Sequence, residues 1–506
     1  MLVLGKRACR LIRSMSSGTG YAPTSEQHTK HVQINQQLVQ CRTGKQVEEL
    51  VLGSKMGDFN AVNCSTALQQ LAKLNTGRHH RISPATLDKV YSMASKQYFM
   101  PRSIATVCHA IASGELDQQI PSFVLKQIAL GNNEDEEFPF KTYTPQGLSM
   151  IMWSFAKLGQ EDEFVFSRCT REIFLHRNLQ TFDAQHLSNI VWALAKVKYN
   201  SDGVFRKVSL ELQRREWQGC LPQHLSTIAL AYAKMKQIRH VPMLYYSMSR
   251  TCLMQRNNDE FANEFKFQTL ALICFSFASM QHKDDELFLR ISRALLRKSD
   301  GEWLREFSNQ GVANVLWSFA KMALVDDELF ARSGDLLLKR GDFSNPITVT
   351  SVLWSFAKLG MDHPVLFERI AQAVQQQSFL EQVKPQGLSN LMWAFAKTKY
   401  RNEGLVERVA GELVNARQVE RFVTEDLVQL VWAFVKLGQH HKPVVNKLIS
   451  ELVRRPLQEF TNKELADMTW ALETIANPNN DKALEQCLNE AKIRKAAAAP
   501  AAPKAL

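Results

Sequence analysis

Lysines recur along this chain at a nearly constant spacing, with amide side chains at fixed distances before them. Each lysine and the residues before it form one copy of a repeated pattern. We take the residue four places before the lysine, which is usually a tryptophan, as position zero of its copy. Position +4 holds Lys157, Lys196, Lys234, Lys321, Lys358, Lys397 and Lys436. Position −7 holds Gln185, Gln310 and Gln386, and position −3 holds Asn189, Asn314, Asn390 and Gln429. A row of cations can follow a phosphate backbone, and amides can contact base edges, so the pattern could bind nucleic acid.

Each of these residues also has a simpler structural explanation. A lysine at the end of a helix is solvated and interacts favourably with the negative end of the helix dipole. An amide at −3 can bond to a neighbouring loop instead of a ligand. The lysine row as a whole therefore supports the binding hypothesis more strongly than any one member does.

Other residue patterns that could support chemistry are incomplete. The pair Gly44-Lys45 lacks the upstream glycine and the following hydroxyl residue of a phosphate-binding loop. The pairs His79-His80 and His440-His441 lack the spacing that places two metal ligands on one helical face. We therefore expect no catalytic residues, no metal site, no cofactor and no small-molecule substrate.

The lysines belong to a phrase that repeats along most of the chain. Examples are TPQGLSMIMWSFAKLG at 144–159, NPITVTSVLWSFAKLG at 345–360 and KPQGLSNLMWAFAKTK at 384–399. Position zero is occupied by Gln69, His109, Trp153, Trp192, Leu230, Phe275, Trp317, Trp354, Trp393, Trp432 and Trp470. So steady a period predicts an all-α fold, an α-solenoid superhelix of about eleven helix-pair repeats.

The first helix of each pair has recognisable ends. Its expected N-caps are Thr144, Asp183, Ser308, Asn345 and Thr461. Proline follows at the first helical position in several copies, and glycine ends the helix at Gly159, Gly360 and Gly438. Apolar or small residues at −5, −2, −1, +2 and +3 predict a broad buried face, with −7, −3 and +4 together on another side. A second helix follows each first helix, and its first turn is often acidic, which suits a helix N-terminus.

The tryptophan at position zero has two interpretations. We expect it to fill the core between stacked helices, because it carries a large apolar ring. The alternative is that it stacks on nucleic-acid bases.

Composition narrows the class of protein. The 506 residues include 62 Lys plus Arg and 50 Asp plus Glu, a formal charge of +12, of which about +8 remains without the first 25 residues. That excess suits a polyanionic partner without requiring one. The chain has no stretch of 18 apolar residues, so we expect no membrane partner. The nine cysteines are scattered, which favours buried free thiols.

The two ends of the chain differ from the repeats. Residues 1–20 mix apolar, basic and serine residues without an acid, which favours a mitochondrial transit peptide; plastid import or a plain basic tail are alternatives. We expect a linker over 21–45, degenerate repeats over 46–140, clear repeats over 141–490 and a disordered Ala/Pro tail over 491–506.

The phrase resembles the octotricopeptide repeat of organellar RNA-binding proteins. It also resembles repeats in Fas-activated serine/threonine kinase-like and RAP-domain proteins, although the short segment after Trp470 leaves no room for a RAP domain. Helical-repeat components of the mitochondrial RNA-editing machinery of kinetoplastids are similar too. The resemblance implies a helical-repeat protein that binds RNA in an organelle.

These observations predict a non-enzymatic RNA-binding protein of the mitochondrial matrix, or less readily of a plastid. Its partner would be single-stranded organellar mRNA or rRNA, and its role would be RNA processing, mRNA stability, rRNA maturation or translation. The alternative is a protein-binding scaffold within a mitochondrial ribonucleoprotein, such as a ribosome or an RNA-editing complex. In that case the same surface would hold a peptide or a subunit.

Overall fold

A computed structural model describes residues 25–75, 82–86, 89–90, 101–113, 138–235, 241–253, 257–439 and 443–498. Within these ranges the secondary structure is helical, and no β-strand occurs. The chain forms two compact units, Met1–Arg256 and Asn257–Leu506, which are described separately.

Unit 1 is a row of helix pairs. Its helices are α1 (Ser25–Gln40), α2 (Gly44–Gly53), α3 (Ala61–Asn75), α4 (Pro101–Ser113), α5 (Phe138–Thr142), α6 (Pro145–Lys157), α7 (Glu163–His176), α8 (Ala184–Lys196), α9 (Asp202–Arg214), α10 (Pro222–Met235) and α11 (Val241–Ser247). The repeated phrase lies on α3, α4, α6, α8 and α10, which we call first helices and which pack side by side in chain order. The second helices α7, α9 and α11 form a parallel layer of their own.

Unit 2 is built in the same way. Its helices are α12 (Asn258–Glu264), α13 (Phe267–Ser279), α14 (Asp285–Leu296), α15 (Asp300–Glu306), α16 (Asn309–Lys321), α17 (Asp327–Arg340), α18 (Pro346–Leu359), α19 (Pro364–Val374), α20 (Gln377–Gln382), α21 (Pro385–Lys397), α22 (Glu403–Asn415), α23 (Thr424–Lys436), α24 (Pro443–Leu452), α25 (Asn462–Ile475) and α26 (Asp481–Ala498). The first helices α13, α16, α18, α21, α23 and α25 pack in chain order. Each unit is thus an α-solenoid, and the predicted fold class is confirmed.

The first helices begin and end where the sequence predicts. All five expected N-caps accept a hydrogen bond from a backbone N–H in the first turn; Thr144, for example, accepts from Gly147 and Asp183 from His186. Gly159, Gly360 and Gly438 have φ values of 66°, 71° and 80°. Glycine adopts this left-handed conformation without the steric cost that a Cβ atom imposes.

The buried face of each first helix is also the predicted one. In α21, Leu388, Leu391, Met392 and Phe395 are fully buried. Burial of each such side chain contributes about 1.5–3 kcal/mol relative to exposure. Small residues such as Ala394 at position +1 are also fully buried, so neighbouring first helices can pack closely. The stack is therefore stabilised mainly by contacts between repeats.

A buried carboxyl group lies between two of these helices. The Ser389 hydroxyl of α21 donates to the carboxylate of Asp426 in α23 at 2.8 Å, and burial raises the pKa of Asp426 above its ordinary value. A raised pKa in the folded state makes the protein less stable as pH rises through the interval between the unfolded and folded pKa values. We expect Asp426→Asn to keep the hydrogen bond and to stabilise the protein by about 1 kcal/mol at pH 7. The free energy of unfolding should then vary less with pH in this interval. Urea unfolding from pH 4 to 8 measures both effects; equal stabilisation by the exposed control Glu420→Gln would contradict the explanation.

Cations near or just after the end of the second helix hold six of the repeats together. Six arginines donate to backbone carbonyls in the segment that precedes the first helix of their own repeat; Arg417, for example, donates to the Leu380 and Glu381 carbonyls. We call these the clamp arginines, and they are Arg177, Arg215, Arg340, Arg417, Arg455 and Arg494. All but Arg340 also form an ion pair with a glutamate of the same second helix, at 2.5–3.1 Å.

Other cations join consecutive second helices. Lys207 donates to the Ile173, Phe174 and Arg177 carbonyls at 2.7–3.2 Å, and Lys447 makes the equivalent bonds one unit later in the chain. These side chains satisfy carbonyls that the end of a helix leaves without donors. Lys207, Lys447 and the clamp arginines therefore have a structural role, which the sequence pattern did not reveal.

The ends of the repeat region differ from expectation. Residues 25–40, expected within a linker, form α1, because Leu38 is fully buried and the Asn63 side chain donates to the His31 carbonyl at 2.9 Å. Residues 491–498, expected to be disordered, continue α26, where alanine favours helix and Arg494 is a clamp. The expected transit peptide at 1–20 and the two histidine pairs lie outside the described residues.

Most cysteines in the described ranges agree with the prediction of buried thiols, although Cys41 is only half-buried. Cys64, Cys108, Cys169 and Cys274 are fully buried without a disulfide. Burial raises the pKa of Cys64 and of Cys108 to about 12. Among the described helices, none has both the length and the apolar character needed to cross a bilayer.

Candidate nucleic-acid interface

The predicted site residues lie on one exposed stripe of each first helix. Positions −7, −3, 0 and +4 follow each other at spacings of three or four residues, which places them on one helical face. In α21 these are Gln386, Asn390, Trp393 and Lys397; the glutamine and the lysine are exposed, and the two between them are half-buried. We call this face the exposed stripe, and the residues between its positions are largely buried in the stack.

The lysines of the exposed stripe remain accessible. All seven predicted lysines are exposed. Six form no ion pair with any described residue: Lys157, Lys196, Lys234, Lys321, Lys358 and Lys397. Burial lowers the pKa of Lys234, and the positive charge of Lys196 in the preceding repeat adds to the effect. The row therefore brings like charges together without neutralising carboxylates, an arrangement that suits an anionic ligand.

Lys436 makes a different contact. Its ammonium group lies 5.4 Å from the centroid of the Trp470 ring in the following repeat. This is a cation–π arrangement between position +4 of one repeat and position zero of the next. The exposed stripes of these two helices are therefore contiguous.

The amides divide into accessible and tethered groups. Gln185, Gln310 and Gln386 are exposed, whereas Asn189, Asn314, Asn390 and Gln429 are half-buried. Gln310 donates to Asn314 at 2.9 Å and accepts from Thr348 of the next repeat at 3.1 Å. Gln429 approaches Asn390 of the preceding repeat at 3.5 Å. At these positions the amides link neighbouring helices as well as facing solvent.

The tryptophans at position zero are half-buried, so the expectation of a core role was only partly right. Their rings stack across repeats: centroids are 6.0 Å apart for Trp153–Trp192, 6.4 Å for Trp354–Trp393 and 6.1 Å for Trp432–Trp470. In unit 1 the series begins with His109, 5.0 Å from Trp153. Because the rings already contact each other, a base could reach only their exposed parts. The residues at position zero thus fix the register of neighbouring first helices along the stripe.

The lysine row has gaps. In α13 position +4 is Ser279, and in α25 it is Thr474. In α18 position −7 is Ile347, which is 57% exposed. Unit 2 therefore presents lysines on four consecutive first helices, α16, α18, α21 and α23, between a first and a last helix without one.

The arrangement of these side chains suits the binding of an anionic or polar ligand. Free ammonium groups at regular intervals can neutralise phosphates, and the amides beside them can donate to or accept from bases or peptide groups. Within the described ranges, no three or more His, Cys, Asp or Glu side chains are grouped so that they could hold a metal ion.

Comparisons with curated proteins and with solved structures do not by themselves assign a family to this chain. No curated protein matches it. Among solved structures, it is 12% identical to a chain of a homology model of the full-length AP-3 complex in an intermediate open conformation, covering 98% of this chain and 92% of that one with a TM-score of 0.23. It is 10% identical to the pentatricopeptide repeat protein PPR10 from maize, covering 96% and 99% of the two chains with a TM-score of 0.15.

A family model matches the repeat region itself. Its description is RNA-editing substrate-binding complex 6 protein, RESC6, and it matches residues 142–340 and 337–474. Together the two matches cover the clearest copies of the repeated phrase, from α6 to α25, and well over half of the chain. The chain therefore belongs to the RNA-editing substrate-binding complex 6 (RESC6) protein family.

Proposed function

We propose that this protein is a non-catalytic scaffold subunit of a mitochondrial RNA-editing ribonucleoprotein. The observation that carries the proposal is the family match over residues 142–474, because the family is named for a complex that binds RNA-editing substrates. Of the functions that the sequence predicts, the scaffold within a ribonucleoprotein fits this family best.

The structure supports a scaffold role through the nature of its surfaces. In each unit, stacked helix pairs expose a layer of first helices and a layer of second helices, and such layers suit extended partners. The first-helix layer carries the exposed stripe, and the second-helix layer carries the clamp arginines. Distinct partners can therefore bind the two layers at the same time.

The mitochondrial location, and the matrix within it, rest on two observations. The first is that the family of this chain is named for an RNA-editing complex. The basic, serine-rich and acid-free segment 1–20 has the composition of an import signal.

A second function, direct contact with single-stranded RNA, is favoured by the exposed lysines. Six lysines of the stripe have no carboxylate partner in the described chain, whereas the clamp arginines are bonded to carbonyls and, except for Arg340, to glutamates. Unpaired cations are those that phosphates can bind without first breaking an internal ion pair. We propose that the exposed stripe contacts the RNA backbone within the complex.

A purification from mitochondria tests the scaffold function. The full-length chain carrying an affinity tag would be isolated with and without RNase treatment, and its partners quantified by mass spectrometry. We expect subunits of an RNA-editing complex to be recovered in both samples, because a scaffold holds proteins directly.

Two outcomes would contradict the proposal. One is recovery of the chain as a free monomer, and the other is loss of every partner after RNase treatment. The second would leave RNA as the only link and would support the RNA-contact function alone. Recovery of the tagged chain outside mitochondria would reject the proposed location.

A further inference from the structure

The repeat centred on Trp354 lacks the clamp that its neighbours have. Clamp arginines occupy position +23 or +24, and in this repeat those positions hold Gln377 and Ser378. The paired glutamate occupies position +19 or +20, and in this repeat those positions hold Ala373 and Val374. Both members of the ion pair are therefore replaced in this repeat, as they are in the repeats centred on Leu230 and Phe275, while the repeats immediately before and after the Trp354 repeat keep Arg340 and Arg417.

A cavity of about 470 Å³ lies at this place. Its lining includes Gly341, Asp342, Ala373, Gln376, Ser378 and Gln382. Gly341 and Asp342 occupy positions −13 and −12, where other repeats present the carbonyls that receive a clamp arginine. The Asp342 carbonyl accepts from Asn309 at 3.2 Å, whereas the Gly341 carbonyl has no donor in the described chain. The cavity thus lies beside the backbone carbonyls that, in other repeats, accept hydrogen bonds from a clamp arginine.

The charge of the cavity suits a cation. The Ser344 hydroxyl and backbone N–H both donate to the Asp342 carboxylate, at 2.7 and 3.1 Å, and these bonds hold its pKa below the ordinary value. A carboxylate, a free carbonyl and the amide oxygens of Gln376 and Gln382 are acceptors. Arg369 also lines the cavity, but its side chain is exposed and donates to Gln372 at 3.3 Å.

We propose that this cavity receives an arginine side chain from a partner protein, which completes in trans the clamp that six other repeats build in cis. A planar guanidinium has five donors in a fork that can bind two carbonyls and a carboxylate together. The lysine ammonium group lacks that planar fork. The partner is therefore a protein with an exposed arginine, and the site is separate from the exposed stripe on the first helices.

A ligand titration on the full-length protein tests this site. The probes are N-acetyl-arginine amide, N-acetyl-lysine amide and inorganic phosphate, and the readout is the thermal unfolding temperature. With a dissociation constant of about 1 mM, 10 mM of the arginine probe should raise the unfolding temperature by about 3 °C. The lysine probe and phosphate should leave it unchanged.

Variants assign the effect to the cavity. Asp342→Asn should weaken binding of the arginine probe about tenfold, because a charge-assisted bond is lost. Arg369→Ala should leave binding unchanged, because the proposed occupant comes from another molecule. The double variant Ala373→Glu and Ser378→Arg rebuilds the clamp in cis and should raise the unfolding temperature by about 3 °C without any further response to the probe.

The results that would overturn the proposal are specific. Equal shifts by the arginine and lysine probes would mean general cation binding, and a shift by phosphate would mean an anion site at Arg369. Absence of any shift in the wild type would reject the site outright. Since RNA binding and complex membership are measured separately, none of these results bears on the proposed function.

Discussion

Reversing the charge of four stripe lysines is expected to weaken the binding of single-stranded RNA about a hundredfold. The variant replaces Lys196, Lys321, Lys358 and Lys397 with glutamate. Each lysine that contacts a phosphate contributes a counterion-release term, and loss of four contacts should reduce the slope of log affinity against log salt by roughly 3. Fluorescence anisotropy with a labelled organellar RNA, measured from low to physiological salt, gives both quantities.

A control variant with the same change in net charge distinguishes RNA binding at the exposed stripe from attraction by the overall positive charge of the protein. It replaces four exposed cations that lie off the stripe and form no ion pair with described residues: Arg206, Arg293, Lys339 and Arg421. We expect this control to weaken binding only slightly and to keep the salt slope. Equal losses in both variants would indicate nonspecific attraction, and unchanged binding in the lysine variant would reject the stripe as an RNA site. Circular dichroism confirms that both variants are folded.

Removing a clamp arginine should instead damage stability. Arg417→Ala leaves the buried Glu412 carboxylate, 2.7 Å from the arginine in the wild type, without its ion pair. The carbonyls of Leu380 and Glu381 lose their donor at the same time. Breaking a buried pair by removing one partner costs about 3 kcal/mol or more, because the remaining charge is not solvated. Urea unfolding monitored by circular dichroism measures the loss.

Two further variants test the mechanism of that loss. Arg401→Ala removes an exposed arginine near the same helices and should change stability by less than about 0.5 kcal/mol. Adding Glu412→Gln to Arg417→Ala should recover part of the stability, because the uncompensated charge is removed. An Arg417→Ala variant as stable as Arg401→Ala would show that the clamp does not hold the repeat. At temperatures where Arg417→Ala remains folded, its affinity for RNA should equal that of the wild type.

The two experiments concern residues that look alike in the sequence. Lys397 and Arg417 are both basic residues of one repeat. In the structure Lys397 faces solvent without an anionic partner, whereas Arg417 is enclosed by a carboxylate and two carbonyls. Lys397 and Arg417 contribute equally to the net charge, although only Lys397 is available to a ligand.

The sequence alone was sufficient to predict the helices, the repeat and the all-α fold. Caps such as Thr144 and Asn345, the first-turn prolines and Gly360 act through bonds within about four residues, so local spacing reveals them. The buried face follows from the helical period for the same reason. The resemblance to helical-repeat components of RNA-editing machinery agrees with the family match, whereas the relation to Fas-activated serine/threonine kinase-like and RAP-domain proteins stays a prediction.

The tertiary structure decided which of these side chains are accessible and which are bound. Trp393 is half-buried because the Trp354 ring contacts it from the preceding repeat, and Arg417 is bound because Leu380 and Glu381 lie beside it after a full repeat of chain. The cavity beside Asp342 lies where the repeat of Trp354 has no arginine at +23 or +24 and no glutamate at +19 or +20. Exposure, pairing and empty space depend on atoms brought together from distant parts of the chain, and periodicity within one helix contains no information about them.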